Sequence, residues 1–374
     1  MDPNRKTDRR QFLKGKSALR LTRDVLSQPL ESPDSTSNAA ADSQPGSNSK
    51  EPRPPIGINL LTFSQNLMGC EFEFTFNQNQ YPQAADTAMT MFERIAELEA
   101  EMTIYDSESA ISRLNNSPAG TRVEVSADLF HCLELAQQIS HNTNGAFDIS
   151  SGPLSKVWGF DQRRPAVPEK QAAAAALAKV NFRHVLLDPK SSTVLLEKPG
   201  MKINLGGIGK GYALDECSRM AREQGVTNVM IQGGQSSVVA LGDQANLAEG
   251  ERGWRVGISH PQHSETRLEE LLLDNLCLST SGSSRQAFFH QGTKLSHIID
   301  PRTGRPAENH ISSTVVTNSA ASTDALATAV CLMTETEVME LCQQNPGISI
   351  LLATQNDHRV ELKSYGDFFT AAKS

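Results

Sequence analysis

Asp324 and Thr328 stand four residues apart in the alanine-rich run Asp324-Ala325-Leu326-Ala327-Thr328. Such a run favours helix, and at that spacing both side chains leave the same helix face. A carboxylate beside a hydroxyl is a pair of hard oxygens that suits Mg²⁺. A second stretch, Ile203-Asn204-Leu205-Gly206-Gly207-Ile208-Gly209-Lys210-Gly211, passes from apolar, strand-like residues through a glycine-rich turn into a helix opening with Lys210. Backbone N–H groups at such a helix start can approach a phosphate, and the lysine offsets its charge. Together the two stretches point to a Mg²⁺-assisted site for a pyrophosphate compound. Each also has a plainer reading, as a structural turn and as an ordinary polar pair on a helix.

The 374 residues carrying these stretches suffice for one large or two modest domains with a core of their own. The net charge of −8 is uneven. Residues 1–26 hold Arg5, Lys6, Arg9, Arg10, Lys14, Lys16, Arg20 and Arg23 against Asp2, Asp8 and Asp24, leaving the remainder more acidic than the total. That remainder lacks a basic stripe with interleaved aromatics, which argues against nucleic acid as a partner. Cys70, Cys132, Cys217, Cys277, Cys331 and Cys342 are scattered, with no C-x-x-C spacing. Neither a disulfide framework nor a zinc site is expected, and the pattern leans towards a reducing compartment.

Two possible targeting signals conflict with that lean. Arg9-Arg10-Gln11-Phe12-Leu13-Lys14 matches a twin-arginine export pattern, but Lys16, Arg20, Arg23 and Asp24 interrupt the apolar segment such a signal requires. Leu67-Met68-Gly69-Cys70 resembles a lipoprotein cleavage box, yet it lies deep in the chain and runs into a strand pattern, so it reads as part of the fold. No stretch is long and apolar enough to span a membrane.

The elements that must position the chemistry follow from periodicity. Residues 27–55, rich in Ser, Pro, Asn and Asp, read as a disordered linker, so that 1–55 forms a basic arm plus linker and 56–374 the folded domain. Alternation predicts a strand over Met68 to Phe76. Helices are predicted over Ala84 to Met102, Ala127 to Ile139 and Glu169 to Val180. Strands follow at His184–Asp188, Thr193–Glu197 and Lys202–Leu205. After Gly207 come a helix, strands at Asn228–Ile231 and Ser237–Leu241, and strand Ser313–Val316. Helices near Thr323–Leu332 and Glu335–Gln343 and strand Ile348–Ala353 close the chain. Without a regular βαβ alternation, the fold class is α+β, with mixed sheets and packed helices.

In this order the motifs resemble those of the ApbE-type FAD:protein FMN transferases. They are Met68-Gly69; Tyr105-x-x-x-Ser109-x-Ile111-Ser112-Arg113-Leu114-Asn115; Gly145-Ala146-Phe147-Asp148; Gly152-Pro153-Leu154 with Trp158-Gly159-Phe160; and the Gly206 to Asp215 turn. Gly233-Gly234, Thr280-Ser281-Gly282, His297-Ile298-Ile299-Asp300-Pro301-Arg302-Thr303-Gly304 and Asp324 to Thr328 complete the series. The resemblance implies a two-lobed, T-fold-related architecture with an FAD cleft between the lobes, and makes 56–374 a flavin transferase domain. It implies Mg²⁺-dependent transfer of FMN from FAD to a Ser or Thr hydroxyl of a target protein through a phosphoester, releasing AMP. On this resemblance Asp324, Thr328 and the Gly207 turn hold Mg²⁺. Met68, Tyr105, Ala146, Phe147, Asp148, Asn204, Lys210 and Ile298 contact the flavin nucleotide. His297 and Lys210 serve transfer.

Plainer readings stand beside these. Met68 and Tyr105 could be core residues, His297 could brace the Asp300-Pro301 turn, and Arg302 either belongs to that turn or faces phosphate. Asn204, Gln235, Cys70 and Ser283-Ser284 depart from the family pattern. They leave room for a catalytically silent FAD-binding protein, and a further alternative is a Mg²⁺-dependent FAD pyrophosphatase, with water in place of the protein alcohol, giving FMN and AMP. The chain itself lacks the Asp-Gly-x-Ser/Thr-Gly-Ala-Thr acceptor pattern, so it resembles the modifier and its partner the modified protein. The resemblance favours the cell envelope or periplasm, with the cytoplasm as the alternative.

Overall fold

The computed structural model describes residues 17–22 and 60–371, except residues 163, 264, 283–286, 309 and 357–358. Arg9-Arg10, the linker at 27–55 and the departure at Ser283-Ser284 lie outside the described residues.

The chain opens with β1 (Ser17–Thr22), β2 (Leu60–Leu67) and β3 (Cys70–Asn77), followed by helices α1 (Ala84–Met102) and α2 (Ala110–Asn116). Next come β4 (Arg122–Glu124), α3 (Ala127–Asn142), α4 (Gly152–Val157), α5 (Lys170–Leu177), β5 (Val185–Asp188) and β6 (Thr193–Leu196). Helix α6 (Gly209–Glu223) leads to β7 (Val229–Gly233), β8 (Ser237–Leu241), β9 (Trp254–Ser259), β10 (Arg267–Leu273) and β11 (Cys277–Gly282). The hairpin β12 (Ala287–His290) and β13 (Thr293–Ser296) precedes β14 (Ser312–Thr317), α7 (Ala320–Val330) and α8 (Glu335–Gln344). Strands β15 (Ser349–Asn356) and β16 (Arg359–Tyr365) and helix α9 (Asp367–Ala371) finish it.

Nine strands form one sheet in the order β1-β2-β3-β7-β8-β11-β14-β15-β16. Every neighbouring pair in it is antiparallel. A three-stranded sheet β4-β6-β5 and the β9–β10 and β12–β13 hairpins are separate. This is the expected α+β class. Ser17–Thr22, within the basic arm, pairs with β2 along the sheet edge.

Burial explains the layering. Phe72, Phe74 and Phe76 alternate along β3 into the main core, where Phe74 stacks on Phe92 of α1 at 4.4 Å between ring centroids. Period two on a strand meets period 3.6 on a helix, and the two apolar faces close on each other. Strand β8 is buried along its whole length. Val239 and Leu241 join the main core, while Val238 and Ala240 face a second core with Trp254, Ile258 and Leu273 of the β9–β10 hairpin. The centre of the sheet is therefore covered on both faces, and α6 and α7 lie on the main-core side.

Two sequence expectations change here. Met68 and Gly69 do not begin a strand. Both have positive φ, 49° and 74°, and form the two-residue turn between Leu67 and Cys70, where mirror-image turns match the twist of the flanking strands. Lys202–Leu205 is not a strand either. The Asn115 side chain donates to Ile203 O at 2.8 Å and accepts from Ile203 N at 2.6 Å, taking both backbone groups that a neighbouring strand would need. Only a single parallel bridge, Ser151 to Lys202, forms there.

Candidate active site

Lys210 lies in the first turn of α6, a helix whose N-cap, Ile208, offers no side-chain cap. The opening N–H groups of a helix need acceptors from elsewhere. One is supplied across the interface, because Asp324 of α7 accepts from Gly211 N through Oδ2 at 3.1 Å. Its other oxygen, Oδ1, accepts from Lys210 Nζ at 2.7 Å and from Ser237 Oγ at 3.0 Å. Lys210 Nζ also donates to Ser237 Oγ, so lysine, serine and carboxylate close a triangle. Asp324 is 8% exposed and Ser237 fully buried.

Close helix packing makes this possible. A Cβ at Gly211 would fall 2.2 Å from Ala320 O, so only glycine lets α6 lie against the start of α7. One turn on, Asp215 accepts from Ser319 Oγ at 2.9 Å, Ala320 N at 2.7 Å and Ala321 N at 2.9 Å. It caps α7 from outside that helix. Burial pushes the Asp215 carboxyl above its ordinary pKa, and these hydrogen bonds oppose the shift. Gly211 and Asp215, both within the Gly206-to-Asp215 motif, thus hold one helix to the other, and with it Lys210 to Asp324.

Thr328 lies one turn beyond Asp324, as the spacing predicts. Its hydroxyl donates to Asp324 O at 3.2 Å and lies 3.4 Å from Ser281 Oγ on β11. The glycine-rich turn backs onto it: a Cβ at Gly207 would stand 3.7 Å from Thr328 Oγ1 and 3.1 Å from Phe147 Cε2. Gly207, Asp324, Thr328, Lys210 and Phe147 are therefore brought together. Among the described residues no three His, Cys, Asp or Glu side chains converge on a metal position. A hard cation here would rest on one carboxylate together with hydroxyl and backbone oxygens, a donor set that the neighbouring Asp324, Thr328 and Gly207 provide.

The other sequence candidates surround this centre in different ways. Met68, on its turn, packs partly buried against the main core. The adjoining Cys70 reaches the β7–β8 turn, where a Cβ at Gly234 would meet its Sγ at 3.2 Å. Burial raises the Cys70 pKa, with nearby Lys210 acting in the opposite direction. Tyr105 is 73% exposed, which excludes the core reading for it. Ala146 and Phe147 are buried. Asp148 accepts from Ser150 N and Ser150 Oγ, both at 2.7 Å, and from Phe182 N at 2.8 Å, bracing the loop that carries Phe147. Burial raises its pKa against those bonds. Asn204 Oδ1 accepts from Gly206 N at 2.9 Å and shapes the turn, which a neutral acceptor does as well as a charged one.

His297 is half-buried and directly follows β13. Ile298 is buried in the main core, its N–H donating to Ser296 Oγ at 3.0 Å. Arg302 does not face a phosphate site. Its guanidinium is engaged by Asp300 at 3.0 Å, Glu337 at 2.9 Å and Leu332 O at 2.8 Å, tying the turn to α8. Gln235 occupies a left-handed position, φ 54°, where Asn or Asp is more easily accommodated.

Sequence reasoning missed Ser237, Asp215 as a cap, and Asn115 as a backbone clamp. Ser237 left one trace, a polar residue opening the otherwise apolar strand Ser237-Val238-Val239-Ala240-Leu241.

This architecture is that of solved flavin transferases. The flavin transferase ApbE from Vibrio cholerae matches over 84% of this chain and 99% of its own, with TM-score 0.73 and 26% identity. The ApbE protein from Thermotoga maritima matches over 82% and 97%, with TM-score 0.72 and 25% identity. The FAD:protein FMN transferase of Escherichia coli K12 is 30% identical over 260 residues, covering 68% of this chain and 72% of that protein. That of Vibrio cholerae (strain O395) is 29% identical over 302 residues, covering 78% and 88%. The ApbE family model matches residues 68–352, and the chain belongs to the ApbE family.

Proposed function

We propose that this chain is an FAD:protein FMN transferase that joins FMN from FAD to a Ser or Thr hydroxyl of an acceptor protein, with Mg²⁺, and releases AMP. The observation that carries the reading is the Lys210–Ser237–Asp324 triangle at the start of α6, beside Thr328 and Gly207, in a member of this family. In the reaction the acceptor oxygen forms a bond to the FMN-side phosphorus, and the bond from that phosphorus to the bridging oxygen breaks. AMP takes the bridging oxygen, and the hydroxyl proton passes to a base.

Asp324, Thr328 and the Gly207 turn would hold Mg²⁺, which when bound offsets the charge of the pyrophosphate oxygens. Lys210 turns its ammonium from Asp324 to the phosphates. The α6 start directs backbone N–H groups and the positive end of a helix dipole to the same place. Phe147 walls the turn, while Tyr105 offers an exposed ring against which a flat heterocycle can stack. His297 takes the proton of the incoming hydroxyl. Changing His297→Ala should then slow transfer about a hundredfold and leave FAD affinity nearly unchanged. An equal loss of both, read by fluorescence titration alongside the transfer rate, would make His297 a binding or bracing residue.

The direct test is intact-mass measurement of a small domain carrying the Asp-Gly-x-Ser/Thr-Gly-Ala-Thr pattern after incubation with the protein, FAD and Mg²⁺. The expected result is a gain of one FMN, abolished by chelation. FAD bound without labelling would identify a silent flavin binder. FMN and AMP formed without acceptor would identify a pyrophosphatase.

A further inference from the structure

We infer that Ser237 is a positioning residue for the cation and phosphate site, fixing the Asp324 carboxylate so that Lys210 is free to leave it. The inference rests on the transferase reading above and adds a residue that the sequence motifs did not supply.

The direction of each hydrogen bond in the triangle follows from valence. An ammonium only donates, so towards Lys210 the Ser237 hydroxyl must accept. Its single proton is therefore committed to Asp324 Oδ1, 3.0 Å away. Asp324 is thus gripped from two elements, with Ser237 of β8 on Oδ1 and Gly211 N of α6 on Oδ2. Neither grip depends on Lys210.

This matters because Lys210 has two competing uses. One is its ion pair with Asp324, at 2.7 Å. The other is an anionic ligand, and while the ammonium moves to it, until a cation takes its place, Asp324 is a nearly buried carboxylate short of one partner. Such a group is costly unless it stays hydrogen-bonded. Ser237 keeps Oδ1 satisfied and holds the carboxylate plane while the lysine moves. The stem of Lys210 lies along Gly233, where a Cβ would meet Lys210 Cγ at 3.1 Å, so the β7–β8 turn also leaves the lysine its path. Groups that orient a metal-binding carboxylate in this way commonly change cation affinity by about 10–100-fold when removed.

The test uses the full chain with Ser237→Ala and Ser237→Cys. Cysteine keeps the volume while offering a weak donor, which separates loss of packing from loss of the hydrogen bond. Thermal unfolding is followed against MgCl₂ concentration with FAD present, and transfer rate is measured over the same Mg²⁺ series. Both variants should need about tenfold more Mg²⁺ for half of the thermal shift and for half-maximal transfer. Their rate at saturating Mg²⁺ should stay within about threefold of the parent.

An unchanged Mg²⁺ midpoint in Ser237→Cys, or a lower maximal rate without a midpoint shift, overturns the inference. If Ser237→Ala does not fold, Ser237→Cys alone decides. A parent protein showing neither a Mg²⁺-dependent shift nor FMN transfer would remove the transferase reading, and this inference with it. Parent behaviour retained in both variants would remove the inference alone.

Discussion

Asp324→Asn is expected to lower FMN transfer by about a thousandfold while the protein remains folded. The carboxylate is the one charged oxygen donor in the group formed with Thr328 and Gly207. Loss of a metal-binding carboxylate forfeits several kcal/mol of charge stabilisation, and about 4 kcal/mol corresponds to a thousandfold. Asparagine keeps the shape but cannot accept on both sides. If its oxygen faces Lys210 and Ser237, its NH₂ faces the Gly211 N–H, donor against donor. The unmet N–H costs about 1–3 kcal/mol, which a chain with two extensive cores should tolerate. Intact mass of the acceptor reads the transfer, and circular dichroism with thermal unfolding reads the fold. Near-normal labelling by a folded Asp324→Asn protein would sink the assignment of Asp324 as a cation ligand.

The second large effect is on stability, and its sign runs against helix propensity. Gly211→Ala exchanges glycine for the best helix former within α6, a change that by propensity alone should stabilise by about 1 kcal/mol. Packing reverses this. The new Cβ would lie 2.2 Å from Ala320 O, 2.6 Å from Ala320 C and 2.7 Å from Ala321 Cα. All three are backbone atoms at the start of α7 and cannot rotate aside. The helices must part, which costs about 3 kcal/mol as overpacking, and the Asp215 cap on Ser319, Ala320 and Ala321 loosens with them. A fall in Tm of about 6 °C or more is expected. The same separation draws Asp324 from Lys210, so transfer should fall together with stability. A variant as stable as the parent would show that α6 and α7 do not meet as closely as the structure has them.

These two residues mark what the sequence made legible. The Asp324/Thr328 face was readable because a helix repeats every 3.6 residues, and the Lys210 turn because glycine clusters signal close backbone approach. Residues acting across elements were not readable. Ser237 meets Lys210 and Asp324 only once β8 lies beside α6 and α7, and nothing local to Ser237-Val238 announces that. Asn115 shows the opposite failure, since its side chain replaces a partner strand for Ile203 and removes an element that the apolar pattern had suggested. Arg302 sits beside a turn motif where a phosphate contact was conceivable, but Glu337 and Leu332, far along the chain, take up its donors. The strands Trp254–Ser259 and Arg267–Leu273 are hidden in the sequence because Gly257 and the Glu269-Glu270 pair interrupt their apolar alternation.

The separation between Lys210 and Asp324, 114 residues along the chain, also has a consequence in time. At about 5–20 residues per second, the ribosome adds Asp324 roughly 6–23 seconds after Lys210. Through that interval the nascent chain carries its basic group without its acidic counterpart, and the helix that would cap α6 has not been made. A flavin nucleotide reaching the chain then would meet the lysine before the proposed cation site had its carboxylate. On the transferase reading, loading follows synthesis, and a chain stopped short of α7 lacks the Asp324 half of the site.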